Sequence, residues 1–339
     1  MKKAKWKNWL LAGLLVPSLT ACSTSGSGSS TAGDPEYPKK AITVVAPSGA
    51  GGGWDLTARS LTKVLGETKL VDQTMTVENK PGGGGAVYLA EYATQHKKDD
   101  YKLYVNSPPI LINNLKKEGN SPYGYKDTTP LAQLTKDFGA IVVKDDSKYN
   151  SLKELMDAVK KDPKSVTAAG GSAPGSMDHL VAVLPAYKSD IDPKSVKYVS
   201  YDGGGEAIAA LLGGNADYIA TDASAVGEYL KAGKVKVLGI SSTERLKGDL
   251  ADVPTFKEEG IDADFTIWRG VFGPKEMSES AKEYWGKKLK DLNDSKEWQA
   301  ELERNGWEAE FKDAEEFKSF LEDQEKQVED LLKSLGMNK

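Results

Sequence analysis

From residue 41 onward, compact apolar runs alternate with segments whose apolar residues recur every three or four positions, a pattern of strands alternating with helices. Residues 41–46 (AITVVA) predict a strand that stops at the glycine-rich stretch 47–53. Residues 55–65, with Leu56, Leu61, Val64 and Leu65 on one face, predict a helix. Residues 75–78 predict a strand, and 81–85 (PGGGG) a turn that opens a helix over 86–94. A further strand over 101–105 ends at Asn106-Ser107-Pro108-Pro109. A second unit begins near Gly139, with a strand over 140–143 and a helix over 152–160 for which Ser151 is the N-cap. Strands over 166–169 and 196–199 run into the loops 170–176 and 200–205, each followed by a helix, from Met177 toward Leu184 and over 206–212. Strands over 218–220 and 235–240 complete this unit, and 266–272 predicts a strand that returns to the first sheet.

The Lys/Glu-rich stretch 275–290 predicts a solvated helix face, and the chain closes on a long helix. In that helix Asp313 and Glu316 fit a capping box, and Phe317, Phe320, Leu321, Val328, Leu331, Leu332 and Leu335 share one apolar face before Gly336. Alternation of this kind predicts an α/β fold with a mainly parallel sheet.

The leader departs from the pattern. Lys2, Lys3, Lys5 and Lys7 precede a short apolar run over 9–16, broken by Pro17-Ser18 and followed by Leu19-Thr20-Ala21-Cys22. The run is too short to span a bilayer and has the layout of a secretion signal. The tetrad resembles a bacterial lipobox, which implies cleavage before Cys22 and acylation of its thiol. An ordinary signal peptide with an incidental cysteine accounts for the same leader, but not for the chain's one cysteine standing at that position. Residues 23–33 (STSGSGSSTAG) have the composition of a flexible tether. The expectation is a signal peptide over 1–21, a tether over 22–36 and a body held at the outer face of the cell membrane through Cys22.

Composition narrows the chemistry. At 339 residues the chain can build two cores, and its scattered charges give no basic patch for nucleic acid. The net charge is −5; without the leader, Lys+Arg falls from 45 to 41 against 50 acids, or −9. So acidic a body gains no long-range attraction for an anion, which must then be held by local geometry. One cysteine in the leader and two histidines, His96 and His179, exclude an internal disulfide and a Cys–His nucleophilic pair in the body. They also argue against a transition-metal site, and no metal or cofactor is expected.

Three strand-to-helix loops share one design: 48–55, 170–176 and 200–206 combine glycines with small hydroxyl or acidic residues just before a helix. Glycine leaves backbone N–H groups uncovered, and a helix start adds unpaired donors and partial positive charge. Two such loops across a cleft can hold a carboxylate. The first loop lacks the Gly-Lys-Ser/Thr ending of a phosphate-binding P-loop. It also has Trp54 where a dinucleotide fingerprint needs its last glycine.

These loops, in this order, resemble the tripartite tricarboxylate transporter substrate-binding proteins, the TctC or Bug family. The resemblance rests on Tyr37-Pro38 with 42–45, on 47–55 with Ala58-Arg59, and on 77–85. It continues through Gly175-Ser176 with His179-Leu180, 213–217, 252–255 and Trp268-Arg269-Gly270. It implies a two-lobed periplasmic-binding-protein fold, each lobe a mainly parallel sheet flanked by helices, with the ligand in the hinge cleft. Lobe one would comprise 37–138 plus 241–339 and lobe two 139–240, the chain crossing near 135–139 and returning near 239–242. Carried over, the family's ligand contacts fall on Ser48, Gly49, Gly52, Gly53 and Asp55 in lobe one and on Ser172, Gly175 and Ser176 in lobe two. Asp202 and Asp222 would meet water or a ligand hydroxyl, and Ser107, at a strand end, is a further contact. Trp54 stands where many members have a small residue; an aromatic there occurs among the tricarboxylate-type members and points to a di- or tricarboxylate.

The resemblance thus implies a monomeric, non-enzymatic binding protein that passes a small carboxylate to integral-membrane transporter subunits. A similar protein serving a sensor kinase or an ATP-driven importer, or taking a non-carboxylate ligand, is the alternative. A hydrolase built on Ser48, Asp55 and His179 has no Gly-x-Ser-x-Gly elbow and leaves the other two loops unexplained. His179 can touch the ligand but is more often a packing or capping histidine. Trp268 and Arg269 can shape the site, although a strand-end Trp is more often core, and Arg59 pairs with Asp55 or touches the ligand.

Overall fold

A computed structural model describes residues 36–339 except Gly51, Gly52, Asn120 and Asp202. The leader, Cys22, most of the tether, Gly52 and Asp202 therefore lie outside the described residues. The chain begins β1 (Ile42–Ala46), α1 (Gly53–Glu67), β2 (Met75–Asn79), α2 (Ala86–Gln95), β3 (Lys102–Asn106) and α3 (Pro109–Leu115). It continues β4 (Thr128–Lys144), α4 (Leu152–Lys161), β5 (Thr167–Gly170), α5 (Met177–Lys188), β6 (Lys197–Ser200) and α6 (Gly204–Leu212). Next come β7 (Tyr218–Asp222), α7 (Gly227–Lys231), β8 (Val235–Ile240) and β9 (Thr266–Pro274). It ends with α8 (Glu279–Asn293), α9 (Lys296–Asn305), β10 (Glu308–Lys312) and α10 (Ala314–Leu335).

The strands lie in the order β2-β1-β3-β9-β4-β7-β5-β6, with β10 and β8 also paired to β4. β1 runs parallel to β2 and β3, and β5 parallel to β6 and β7, as βαβ crossovers require. β9 and β4 join these two parallel sets through antiparallel pairings. The long β4 changes partners between Phe138, opposite Thr266 of β9, and Gly139, opposite Asp222 of β7. A Cβ on Gly139 would lie 2.3 Å from Val181 Cγ1, so no side chain fits where the strand passes from one half-sheet to the other. Ser241 fastens the same point: its Oγ accepts from Gly139 N at 2.8 Å and donates to Phe265 O at 2.6 Å.

Helices cover both faces of each half-sheet. On the first half, α1, α8 and α9 bury Leu61, Trp285 and Trp298 on one side, while α2, α3 and the start of α10 bury Tyr88, Leu111 and Phe317 on the other. On the second half, α4, α5 and the end of α10 form one layer, and α6 contributes to the opposite one. α10 thus packs on both halves, Phe317 and Leu321 in the first core and Val328, Leu331, Leu332 and Leu335 in the second. Its capping box and left-handed Gly336 stop are as the sequence predicts.

The sequence reading lacks α3, α7, α9 and β10, and two elements that it does predict take a different form. β4 starts at Thr128, not near Gly139. Bulges between Pro130 and Ala132 and between Gln133 and Thr135 break its period of two, and the strand buries Gln133 and Asp137 among its apolar residues. α8 keeps its lysines outward but buries Ala281, Trp285, Leu289 and Leu292, so that segment is amphipathic rather than wholly solvated.

Candidate functional site

The three glycine loops leave the C-terminal ends of the parallel strands β1, β5 and β6 and enter α1, α5 and α6. Open α/β sheets bind ligands outside those strand ends. In the first loop, Asp55 is 2% exposed in the first turn of α1 and is held from two sides. Arg59 Nε donates to its Oδ2 at 2.9 Å, and Asn79 Nδ2 donates to its Oδ1 at 2.9 Å. The same Asn79 amide reaches Ser48 O at 3.1 Å, so β2 fixes both ends of the loop. Ser48 Oγ donates to Gly49 O at 3.2 Å, and Gly49 is exposed.

Trp54 and Ser107 come together: the indole Nε1 donates to Ser107 Oγ at 2.9 Å. The indole also lies against Gly85, where a Cβ would stand 3.2 Å from Trp54 Cη2. Gly82 to Gly85 all have positive φ, which only glycine adopts freely in succession. Asn113 of α3 secures that run through Nδ2 bonds to Gly83 O at 3.3 Å and Gly84 O at 2.9 Å.

The second loop is braced by α5. Asp178 Oδ2 accepts from Gly171 N at 2.7 Å, while Asp178 N donates to Ser172 Oγ at 3.0 Å. Tyr198 Oη donates to Ser172 O at 2.8 Å, and Gly175, with φ +75°, donates its N–H to His179 Nδ1 at 2.9 Å. Burial holds His179 down to about 4, so the ring is neutral, carries its proton on Nε2 and caps the loop. Ser176 is the N-cap residue of α5, but its side chain makes no capping bond. The third loop packs backbone to backbone on the second: a Cβ on Gly171 would lie 2.2 Å from Gly203 C and Gly204 N.

Between the two sets stands Arg269 of β9, 5% exposed. Its Nη2 bonds Asp222 Oδ2, at the end of β7, at 3.0 Å, and lies 3.0 Å from where a Gly53 Cβ would be. Nearby, Asp137 of β4 accepts from Ser224 Oγ at 2.6 Å and Phe138 N at 2.7 Å. Burial, and then the Asp222 charge, push both Asp137 and Asp178 up to about 7.

Of the expected contacts, then, Ser48, Gly49, Gly53, Trp54, Asp55 and Ser107 gather around the start of α1, and Ser172, Gly175 and Ser176 around the start of α5. Asp222 belongs to neither loop and pairs with Arg269. Sequence reasoning passed over Asn79, Asp137, Asp178 and the pairing of Arg269. A signal for the last was present: an arginine within the apolar run TIWRGVF predicts a buried cation in need of a partner. Two open surface grooves lie elsewhere. One, of about 540 Å³, is bordered by Arg59, Lys63, Glu301 and Arg304, and the other, of about 440 Å³, by Arg245 and Glu258. Those six side chains are already ion-paired.

Two half-sheets sharing one long strand, with glycine loops and helix starts at the strand ends, define a two-lobed solute-binding protein of the periplasmic type. The family model described as "Tripartite tricarboxylate transporter family receptor" matches residues 58–337, and the chain belongs to that family. A relative in Cupriavidus necator, the UPF0065 protein in the gbd 5′ region, is 27% identical over 307 residues, 90% of either chain. MatC of Rhodopseudomonas palustris, solved with bound malate, superposes with a TM-score of 0.72 at 23% identity, over 87% of this chain and 100% of MatC. Another protein of that organism, solved with adipate, gives 0.77 at 20% identity, over 89% of this chain and 99% of its own. At those identities the two structures speak to the fold. No helix among the described residues is long and apolar enough to cross a membrane.

Proposed function

We propose that this protein is an exported, lipid-anchored receptor that captures a small di- or tricarboxylate in its cleft and delivers it to integral-membrane subunits of a tripartite tricarboxylate-type transporter. The observation that carries the reading is the placement of the glycine loops, each at a parallel strand's C-terminal end and each opening into a helix N-terminus. Backbone N–H donors and helix-end charge there suit a carboxylate, and charge-assisted bonds of that kind are short and strong. In this reading the ligand meets Ser48, Gly49, Gly52, Gly53, Trp54, Asp55 and Ser107 on lobe one, and Ser172, Gly175, Ser176, Asp202 and Asp222 on lobe two. Lobe one is 37–138 with 241–339 and lobe two 139–240; they close on the ligand, and the closed monomer is what the membrane subunits recognise. Malate and adipate, named for two proteins of the same fold, are dicarboxylates and set the size range to test.

The test is a thermal-shift screen of the purified body against malate, adipate, citrate, neutral amino acids and sugars. Stabilisation by one or more of the three acids is expected. Stabilisation by neutral compounds alone sinks the carboxylate reading. For the anchor, Cys22→Ser should move the full-length protein from the membrane to the soluble fraction without altering its ligand response.

A further inference from the structure

Amide recognition by glycine loops leaves Arg269 without a task. The residue lies in the middle of β9, whose other residues from Ile267 to Pro274 are all buried, and its own side chain is 6% exposed. Its guanidinium lies against the first residue of α1, where the absence of a side chain on Gly53 makes room for Nη2. That location is electrostatically wrong for a cation, because the start of a fifteen-residue helix is itself the positive end of the macrodipole. The compensation is small. Among the described residues Arg269 has the Nη2–Asp222 bond at 3.0 Å, its Nε has no acceptor, and Asp222 Oδ1 is buried without a donor. A buried donor without a partner is costly in a folded protein, and a guanidinium offers five N–H groups in a fork matched to a carboxylate. Two independent features thus meet at one point: a helix start, and a buried guanidinium lying against it whose Nε, 3.7 Å from where a Gly53 Cβ would be, has no acceptor.

Asp222 is a poorly held counter-ion. It comes from β7, in the half-sheet opposite β9, and shares its surroundings with the carboxyls of Asp137 and Asp178. A quarter of its side chain is already exposed, which gives it a route to water when another anion takes the guanidinium.

We propose that Arg269 is a specificity-determining residue of the cleft: it takes a ligand carboxylate seated at the start of α1, and Asp222 is the resident counter-ion that this carboxylate displaces. The assignment rests on the carboxylate reading above and deepens it, and it changes one role there: Asp222 is a displaced counter-ion and not a ligand contact. A neutral isostere cannot displace an ionised aspartate, so it leaves Arg269 paired; a dianion replaces that pair with a charge-assisted one. The exchange also breaks a link between the half-sheets at the moment the ligand forms its own.

The experiment is isothermal titration of wild type, Arg269→Gln, Arg269→Lys and Asp222→Asn with malate, adipate and the neutral diamide adipamide, with circular dichroism on each variant. Wild type should bind a dicarboxylate and not adipamide. Arg269→Gln should lose roughly tenfold to hundredfold in affinity, as removal of a charge-assisted bond does, with Arg269→Lys in between. Asp222→Asn should bind the dicarboxylate several-fold more tightly, because the competitor is gone. A pair that only braces the fold predicts the opposite for Asp222→Asn, a loss of affinity together with a lower melting temperature. Dicarboxylate affinity within twofold of wild type in Arg269→Gln, or weakened in Asp222→Asn, overturns the assignment and leaves the carboxylate reading standing. If wild type binds neither acid, the carboxylate reading falls and takes this one with it. Should Arg269→Gln fail to fold, the direction of the Asp222→Asn change decides alone.

Discussion

Gly171→Ala tests how the second and third loops are built. The added methyl would stand 2.2 Å from Gly203 C and Gly204 N, where ordinary contact begins near 3.4 Å. Both obstacles are backbone, so no side chain can swing away, and the two loops must part by about 1 Å. Overpacking of this kind costs about 1–3 kcal/mol. For a body of about 300 residues, each kcal/mol lowers the melting temperature by roughly 1.5 °C, so a fall of about 1.5–5 °C is expected. The parting also moves Gly171 N away from Asp178 Oδ2, now 2.7 Å distant, and loosens the bracing that aims this loop. Affinity for a dicarboxylate should fall at least tenfold, since hydrogen bonds weaken steeply with misalignment. Gly205→Ala is the internal control. Nothing lies within 4 Å of its Cβ and it sits inside α6, so stabilisation of about 0.4–1 kcal/mol is expected. Thermal unfolding followed by circular dichroism reads both, and titration with malate and adipate reads the site. A Gly171→Ala protein that melts at or above wild type, or a Gly205→Ala protein that loses as much, refutes the close packing of these loops.

Stability should depend on pH with an unusual sign. With Asp137 and Asp178 raised to about 7, the folded state binds more protons than the unfolded chain between about 4 and 7, so their contribution is gained as pH falls through 7 and lost as it rises. His179, lowered to about 4, opposes this below about 6.5. Asp178→Asn should raise the melting temperature at pH 8 and flatten its change between pH 8 and 6.5; melting curves that shift in parallel at every pH contradict it. Trp285 is fully buried and donates Nε1 to Tyr37 Oη at 2.7 Å, so Trp285→Ala should cost about 3–5 kcal/mol in chemical denaturation, and a loss under 1 kcal/mol would show that the site refills. Asp313→Ala removes acceptors for Glu315 N and Glu316 N at the start of α10 and should cost about 1 kcal/mol; an unchanged midpoint would make the cap dispensable.

Legibility followed the strength of local signals. β1, β8 and α10 stand almost where hydrophobic runs and caps place them, because each has one buried face or is buried throughout. β4 was legible only over its last third. Its first part carries bulges and buried polar groups, and it is a strand because β9 and β10 lie on either side of it, residues more than a hundred positions away. α9 was hidden for a related reason: in KEWQAELERN the buried residues are Trp298, Leu302 and Glu301, and Glu301 earns its burial from Lys63 and Ser60 of α1. In the proposed site, the glycine loops were legible because a run of glycines before a helix has few uses. Asn79, Asp137 and Asp178 were not, since a single polar residue at a strand or helix end is ordinary in sequence and becomes meaningful only by what it touches.

Those polar residues also bear on how so acidic a chain would seat the anion proposed for it. At physiological salt the Debye length is about 8 Å, so acids farther away than that are largely screened. What counts is the charge close by: Asp55 is paired with Arg59, and the positive ends of α1, α5 and α6 and the Arg269 guanidinium face Asp137, Asp178 and Asp222. Three ionised carboxylates would overwhelm one guanidinium. Burial raises Asp137 and Asp178 to about 7, which reduces the negative charge they carry at neutral pH and returns the local balance toward the positive side. On the proposed function, burial of those two carboxyls is therefore part of the anion chemistry, although neither belongs to a glycine loop. Making both permanently neutral, as Asn at each position does, should leave dicarboxylate affinity intact or improve it. If affinity instead collapses while the fold survives, the carboxyls themselves are hydrogen-bonding to the ligand, and the local field is not what admits the anion.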